Sequence, residues 1–515
     1  MKNHTQSYWQ SRWADPGDIW EAQVPSRADV CIVGGGIAGL SVALCLLESG
    51  RSPLIVERDG VGSGETLRTS AHLASALDDR FHQLAHWHGG DGARLAAQSH
   101  AVAIDQIEAW VARYAIDCDF ARVPGYLFRA PDSDADELAR ELKAAREAGL
   151  TVELLPDGPV AFLKGRRVLR FDRQARFDIS RYLAGLIRVI RQAGGRFVRG
   201  DVVGVEDGAN PAVQWRDGAQ ITANAVVVAT NVPFDRRVFL HTKQAAYRSL
   251  VIAGRIPKGS IADGLYWDTG DPYFYARIQP DAEMDWLIVG GEDHKTGQDV
   301  EEGARFDALR RWTSGFCPEF SNVEYAWSGQ IIEPVDGLAF IGKESGRENV
   351  YVVSGDSGNG LTHGTLSGLL IAGLIKEGHH TWQSLYDPSR KRLNGTWLEE
   401  NANVAAQYRD WLQSGDATSA ARIAPGDGAV VRHGLHRFAL YREPGGALKA
   451  YSARCPHLGC CVRWNGTEKS WDCPCHGSRF AADDGHVING PAAKGLEAVN
   501  TVEVESAAAE VVGSG

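Results

Sequence analysis

Five of the nine cysteines in this chain fall between residues 455 and 478, in "CPHLGCCVRWNGTEKSWDCPCHGS", with His457 and His476 beside them. Thiols and imidazoles at this density suit a structural zinc site, a disulfide framework, or a cluster that moves electrons. Zinc fingers and ribbons commonly present C-x-x-C pairs. The pairs here are C-x-H, Cys455 with His457, and C-x-x-H, Cys473 with His476.

A second chemical constellation lies near the other end, in "ADVCIVGGGIAGLSVALCLLESGRSPLIVER". The pattern predicts a strand over 29–33, a glycine turn, a helix over about 37–48 and a strand ending at Glu57. In such a βαβ unit Gly34 supplies the tight turn, Gly36 lets the backbone approach a pyrophosphate, and Gly39 lets helix and strand pack closely. The helix N-terminus then offers free N–H groups to the phosphates. Glu57 is placed to accept hydrogen bonds from a ribose hydroxyl, which favours FAD or NAD over NADP.

At 515 residues, 44% hydrophobic and 23% charged, the chain is long enough for at least two domains of ordinary globular composition. Its net charge of -11 argues against a nucleic-acid partner. The first twenty residues show no apolar signal region, so a cytoplasmic, thiol-reducing setting is expected. Residues 30–47 are uncharged, but Gly34, Gly35, Gly36 and Gly39 assign them to the dinucleotide turn, and no transmembrane segment is expected. Cys31, Cys45, Cys118 and Cys317 sit in apolar contexts and read as buried thiols.

Further along, "ANAVVVATN" (223–231) has the form of a returning strand and turn, and "ENVYVVSGDSGNGLTHGTLSGLLIAGLI" that of a late strand, glycine loop and helix. Together with the N-terminal unit, over about 28–380, these segments resemble the D-amino-acid oxidase-like FAD family, to which glycine, sarcosine and dimethylglycine oxidoreductases belong. The resemblance implies FAD held by Gly34, Gly36, Gly39, Glu57 and Arg58, by the 62–72 loop "GSGETLRTSAH", and by Gly355, Gly358, Gly360 and Leu361. It also implies a backbone contact to the adenine near Val202. His72 is expected to hydrogen-bond near the flavin rather than join it covalently. In this family the flavin takes a hydride from a carbon next to nitrogen, and the protein orients the substrate and keeps its amine neutral. The aromatic stretch "LYWDTGDPYFYARI" (265–278), with Arg248, is a candidate pocket lining.

"CPHLGC" and "CPCHGS" resemble the Rieske proteins of respiratory and photosynthetic quinol oxidases. That resemblance implies a [2Fe-2S] cluster whose irons are held by the thiolates of Cys455 and Cys473 and the imidazoles of His457 and His476. It further implies a Cys460–Cys475 disulfide and a covering loop at 489–499. Phe480 stands where high-potential members carry a tyrosine, while Ser478 is retained. One hydrogen bond fewer to a ligand sulfur predicts a lower potential, within a range of about -150 to +300 mV. Cys461 is expected to be a buried thiol. Asp79, His82 and His86 fall at i, i+3 and i+7, as in a two-histidine, one-carboxylate iron site. Oxygenases with such an iron resemble a different fold and carry the cluster domain first, so a solvated or interface helix is preferred.

The expected fold class is multidomain: an α/β, Rossmann-like FAD-binding domain with an α+β substrate domain, then an all-β Rieske domain. The expected divisions are a leader (1–27), the FAD-dependent oxidoreductase (28–380), a helical linker (381–422), the Rieske domain (423–505) and a tail (506–515). Within the oxidoreductase, flavin-binding segments are expected at about 28–80, 176–235 and 331–380, and the substrate domain at about 81–175 and 236–330. The expected function is oxidation of a C–N bond of an amine or amino acid, with electrons passing from FAD through the cluster to an external one-electron acceptor, a protein or a quinone. The alternatives are a reductase fed by NAD(P)H, for which no second G-x-G-x-x-G is present, and a redox carrier or sensor without turnover.

Overall fold

Short apolar runs between glycines become the strands of a parallel sheet. The computed structural model describes residues 6–14, 16–234, 239–298, 302–391, 395–412, 415–417, 419–434 and 436–500. In it Val350–Ser354, Gln220–Val228, Arg27–Val33, Pro53–Glu57 and Arg196–Arg199 lie side by side in that order, all parallel. Parallel strands covered on both faces lose the alternation of polar and apolar residues. Val30, Cys31, Ile32 and Val33 are accordingly all buried. Phe340–Lys343 adds an antiparallel edge, and the hairpin Val202–Glu206 with Ala212–Trp215 extends from Gln220–Val228.

The helix Ile37–Glu48 packs on the helix Gly360–Glu377 through small residues. A Cβ on Gly364 would come within 2.9 Å of Ile37 Cγ2, and one on Gly368 within 2.6 Å of the Ser41 carbonyl oxygen. Because Ile37 opens the first helix and Gly364 lies one turn into the second, this contact brings the two N-termini together.

A nine-stranded mixed sheet draws on both 81–175 and 236–330. Its order is Tyr325–Pro334, Gln244–Pro257, Met284–Lys295, Phe274–Gln279, Leu265–Asp268, Ala121–Phe128, Val168–Arg176 and His72–Leu73, with Val152–Leu155 beside Val168–Arg176. The described residues of the expected leader include a packed helix. The helix Tyr8–Arg12, closed by a Ser7–Gln10 capping box, buries Tyr8 and Trp9, and the Trp9 indole N–H donates to the Thr69 carbonyl at 2.8 Å.

The C-terminal part is all-β, with a three-stranded sheet (Asp427–His433, His436–Arg442 and Leu448–Ser452) and a four-stranded one (Arg463–Asn465, Ser470–Asp472, Arg479–Ala481 and Val487–Asn489). Val430, Ala439, Tyr451, Trp471 and Phe480 pack there with the cysteines. So small a core depends on cross-links or metal for stability.

By internal packing the chain forms two compact units: 1–231, 248–293 and 304–391, and 232–247, 294–303 and 392–515. Two segments that lie earlier in the chain, 232–247 and 294–303, thus group with the C-terminal unit. The expected tail, 506–515, lies outside the described residues. Among the described residues no helix is long and apolar enough to cross a membrane, and the uncharged 30–47 stretch is strand, turn and helix.

Candidate functional site

Three glycines make the turn after Arg27–Val33 a cradle. Gly34 has φ +110°, and a Cβ there would lie 2.4 Å from the Ala229 carbonyl oxygen; one on Gly39 would lie 1.9 Å from the Gly34 carbonyl oxygen. Only hydrogen fits at either position. Gly36 is the N-cap of Ile37–Glu48 and makes no side-chain capping bond, while the Ile37 N–H donates to Thr66 Oγ1 at 3.1 Å. A helix start of this kind presents backbone N–H groups to an anion.

Glu57 closes the neighbouring strand, its Oε2 accepting from the Gly35 N–H at 2.7 Å and its Oε1 from the Asp59 N–H at 3.0 Å. Arg58 pairs with Asp59 at 2.8 Å. Val202 opens the adjoining hairpin, next to the point where the Gly200 N–H donates to the Glu57 carbonyl at 2.9 Å. Gly34, Gly36, Glu57 and Arg58 therefore gather at the C-terminal ends of parallel strands, where open α/β sheets bind ligands.

The second glycine loop comes in beside them. Gly355 and Gly358 have φ of +76° and +70°, and Gly360 starts its helix behind Asn359, again without a side-chain capping bond. Leu361 is buried in the first turn. Asp78 touches this loop: its N–H donates to Asn359 Oδ1 at 3.3 Å, and a Cβ on Gly358 would meet its Oδ2. The Tyr273 hydroxyl donates to the same Oδ2 at 3.1 Å.

His72 lies in the short strand His72–Leu73, with Nδ1 2.9 Å from Ser70 Oγ and Nε2 3.3 Å from the Ala276 carbonyl. A carbonyl only accepts, so the proton sits on Nε2 and the serine donates to Nδ1. Desolvation, helped by Arg277, lowers its pKa to about 3, so the ring is neutral. Its ring stands edge to face with that of Tyr275, whose hydroxyl is 2.9 Å from Ser249 Oγ.

The aromatic stretch thus divides. Tyr266 and Trp267 belong to the buried sheet, whereas Tyr273 and Tyr275 reach the His72 and Gly358 loops. Arg248 is buried beside Ser328.

Acidic groups surround the second loop, and of these only Asp79 stood out in sequence, in a different role. Desolvation pushes Asp78 up to about 6 and Asp356 up to about 7, and raises Asp79 and Glu333 as well. Ser357 Oγ is 2.7 Å from both Asp79 and Glu333. One hydroxyl carries one proton, so the second contact needs a protonated carboxyl, and Glu333 is the group held well above its usual range.

Asp356 has a definite pH signature. Its folded pKa, about 7, lies above the unfolded value, so the folded chain binds this proton more tightly and stability falls as pH rises from about 4 to about 7. Asp356→Asn keeps the acceptor for the Ile332 N–H and removes the charge. It is expected to stabilise the protein more at pH 8 than at pH 5, by about 2–3 kcal/mol, measured by denaturant unfolding at the two pH values.

Asp79, His82 and His86 do not form a metal face. The helix Phe81–Arg113 begins after Asp79, because Arg80 takes φ +54° and ends the preceding turn. Asp79 turns to Ser357, His82 Nδ1 lies 3.1 Å from Glu141, and His86 is exposed.

In the C-terminal unit "CPHLG" and "CPCHG" form two matching loops. Each is closed by a glycine N–H donating back to its cysteine carbonyl, Gly459 to Cys455 at 2.9 Å and Gly477 to Cys473 at 3.0 Å, with glycine φ of +82° and +75°. The Cys455 and Cys473 sulfurs face each other. Cys455 is held below the usual thiol range by a hydrogen bond from Cys473, then by the His457 and Leu458 N–H groups and the Ser478 hydroxyl; Cys473 is raised by the same bond and by burial. The Ser478 hydroxyl also accepts from the Ala492 N–H at 3.0 Å, tying in the 489–499 loop.

His457 and His476 stand edge to face with ring centroids 5.0 Å apart. Burial lowers the His476 pKa to about 4, and its Nδ1 is buried without a hydrogen-bond partner. A neutral imidazole with an open nitrogen is what a metal requires. Cys460 and Cys475 are joined as a disulfide between the loops. Cys461 is a buried free thiol, raised to about 11 by burial, and Cys31, Cys45, Cys118 and Cys317 are buried free thiols too.

The sequence profile of the FAD dependent oxidoreductase family matches residues 29–374. The chain belongs to this family. Residues 415–503 match the Rieske [2Fe-2S] domain. The Bacillus subtilis protein YhfW, named as a Rieske 2Fe-2S iron-sulfur protein, is 29% identical over 97% of this chain and 98% of its own. The gamma-glutamylputrescine oxidoreductase of Escherichia coli is 27% identical over 73% of this chain and 90% of its own. A crystal structure of glycine oxidase from Geobacillus kaustophilus superposes with a TM-score of 0.60 at 20% identity, covering 72% of this chain and all of that one, a likeness of fold.

An FAD-dependent oxidoreductase of this family binds FAD, and its Rieske domain binds a [2Fe-2S] cluster. The observed residues fit both groups: a glycine cradle at a helix start for the dinucleotide, and two facing sulfurs beside two imidazoles for the cluster.

Proposed function

We propose that this FAD-dependent oxidoreductase is a cytoplasmic dehydrogenase that oxidises a C–N bond of a small amine or amino acid and delivers the electrons to an external one-electron acceptor, a protein or a quinone. The observation that carries the reading is the presence, in one chain, of a glycine cradle for FAD and a two-cysteine, two-histidine loop pair. Bound FAD supplies hydride acceptance, and the bound cluster supplies one-electron transfer. The names of relatives, gamma-glutamylputrescine oxidoreductase and glycine oxidase, support a nitrogen-bearing substrate.

In this reading Gly34, Gly36, Gly39, Glu57, Arg58, Val202, Gly355, Gly358, Gly360 and Leu361 hold FAD, and His72 hydrogen-bonds beside it. Cys455, Cys473, His457 and His476 hold the irons, and the Cys460–Cys475 disulfide ties their loops. Tyr273, Tyr275 and Asp78 orient the substrate, the carboxyl taking up the amine's charge.

Anaerobic titration with a panel of amines and amino acids, following flavin absorbance and the cluster's EPR signal together, tests this. Both should change with one class of amine. Bleaching by NADH or NADPH instead would favour a reductase, and no response to any amine would favour a carrier. Phe480 is fully buried and pairs with Trp471 in the four-stranded sheet. Phe480→Tyr, which restores a hydroxyl at this position, is expected to raise the cluster's midpoint potential in a redox titration.

A further inference from the structure

A third imidazole stands over the two proposed ligand histidines, and it comes from outside the cysteine-rich loops. His241 lies in the short 3-10 helix Phe239–Thr242, with its ring centroid 4.8 Å from that of His457 at 81° and 6.3 Å from that of His476 at 66°. The three rings are mutually edge to face, the arrangement aromatic rings prefer.

The backbone around His241 is tied into the same unit. The Asn401 side chain donates to the Thr242 carbonyl at 2.9 Å, and the Thr296 N–H to the Ala246 carbonyl at 2.9 Å. In sequence the segment follows the strand Gln220–Val228, which lies at the heart of the parallel sheet. The chain that builds the FAD-binding sheet therefore goes on to supply a ring against the cluster loops. His457 is 8% exposed.

We propose that His241 is a positioning residue for the cluster: its ring packs on His457 and His476, fixes their orientation and keeps water from their side of the cluster. This rests on the ligand set proposed above. Solvent access and packing around a metal site set its potential. Reduction adds a negative charge to the cluster, and water stabilises that charge, so a ring that excludes water holds the potential down. Packing carries this effect, so a benzene ring should replace the imidazole.

The test uses the full-length holoprotein and the variants His241→Ala and His241→Phe. Three readouts are followed: iron content, midpoint potential by EPR-monitored titration, and deuterium modulation in pulsed EPR after exchange into D2O. The alanine variant is expected to shift the potential upward and deepen the deuterium modulation, and the phenylalanine variant to match the wild type. If the alanine variant loses its iron, retention of iron and wild-type potential by the phenylalanine variant supports the proposal. Wild-type values in His241→Ala, or equal shifts or equal iron loss in both variants, would overturn it. A wild-type protein without a Rieske-type EPR signal when reduced would instead sink the ligand assignment, which the variants do not touch.

Discussion

Cys473→Ser is expected to strip the [2Fe-2S] cluster from the chain while leaving FAD in place. Iron should fall from about two atoms per chain to near zero, and the reduced-state EPR signal should vanish, while the flavin spectrum persists. A serine hydroxyl does not deprotonate near neutral pH, so the site loses the anionic ligand that iron requires. Cys473 is 2% exposed, faces the Cys455 sulfur and receives the N–H groups of Cys475 and His476. Cys461→Ser is the matched control. That thiol is as deeply buried and its sulfur lies 3.6 Å from the Val462 carbonyl, so its loss should leave the iron content unchanged. Iron retained in Cys473→Ser, or lost in Cys461→Ser, would refute the ligand assignment. Without its cluster the C-terminal unit keeps only a small core and the Cys460–Cys475 bridge, so it should also melt at lower temperature.

Gly34→Ala should have the complementary effect, loss of FAD with the cluster intact. Its φ of +110° strains any side chain, by about 1–3 kcal/mol. The new Cβ would also lie 2.4 Å from the Ala229 carbonyl oxygen and 2.9 Å from the carbon behind it. Both atoms belong to the backbone just beyond the central strand Gln220–Val228, so relief must come from moving the turn that is to receive the pyrophosphate. Overpacking adds about 1–3 kcal/mol. We expect FAD affinity to fall more than tenfold, measured by fluorescence titration of the apoprotein, and the melting temperature to drop by several degrees. Gly315→Ala, at an exposed helical position where a Cβ meets nothing within 4 Å, should change neither.

How much of this was legible in advance depended on sequence distance. The βαβ turn was readable because strand, glycines, helix and acid follow one another within a single supersecondary unit: the helix was expected over about 37–48 and runs Ile37–Glu48. The cluster loops were readable for the same reason, since C-x-H and C-x-x-H each lie within one turn of chain. The iron face of Asp79, His82 and His86, set aside in sequence for a solvated or interface helix, needs a helix that includes all three positions, and the helix begins at Phe81.

The sequence by itself determined the chemistry: which residue types sit close enough along the chain to hold a dinucleotide and an iron–sulfur cluster, and that two such sites share one polypeptide. Local spacing sets those groups through short stretches of backbone, so they can be read before folding. Only the tertiary structure decided what surrounds them. Gly364 and Gly368 pack one helix start against another, Asp78 meets Gly358, the acids around Ser357 lose water together, and His241 comes to rest on His457. Each of these joins residues far apart in the chain, and each depends on burial, which no linear spacing records.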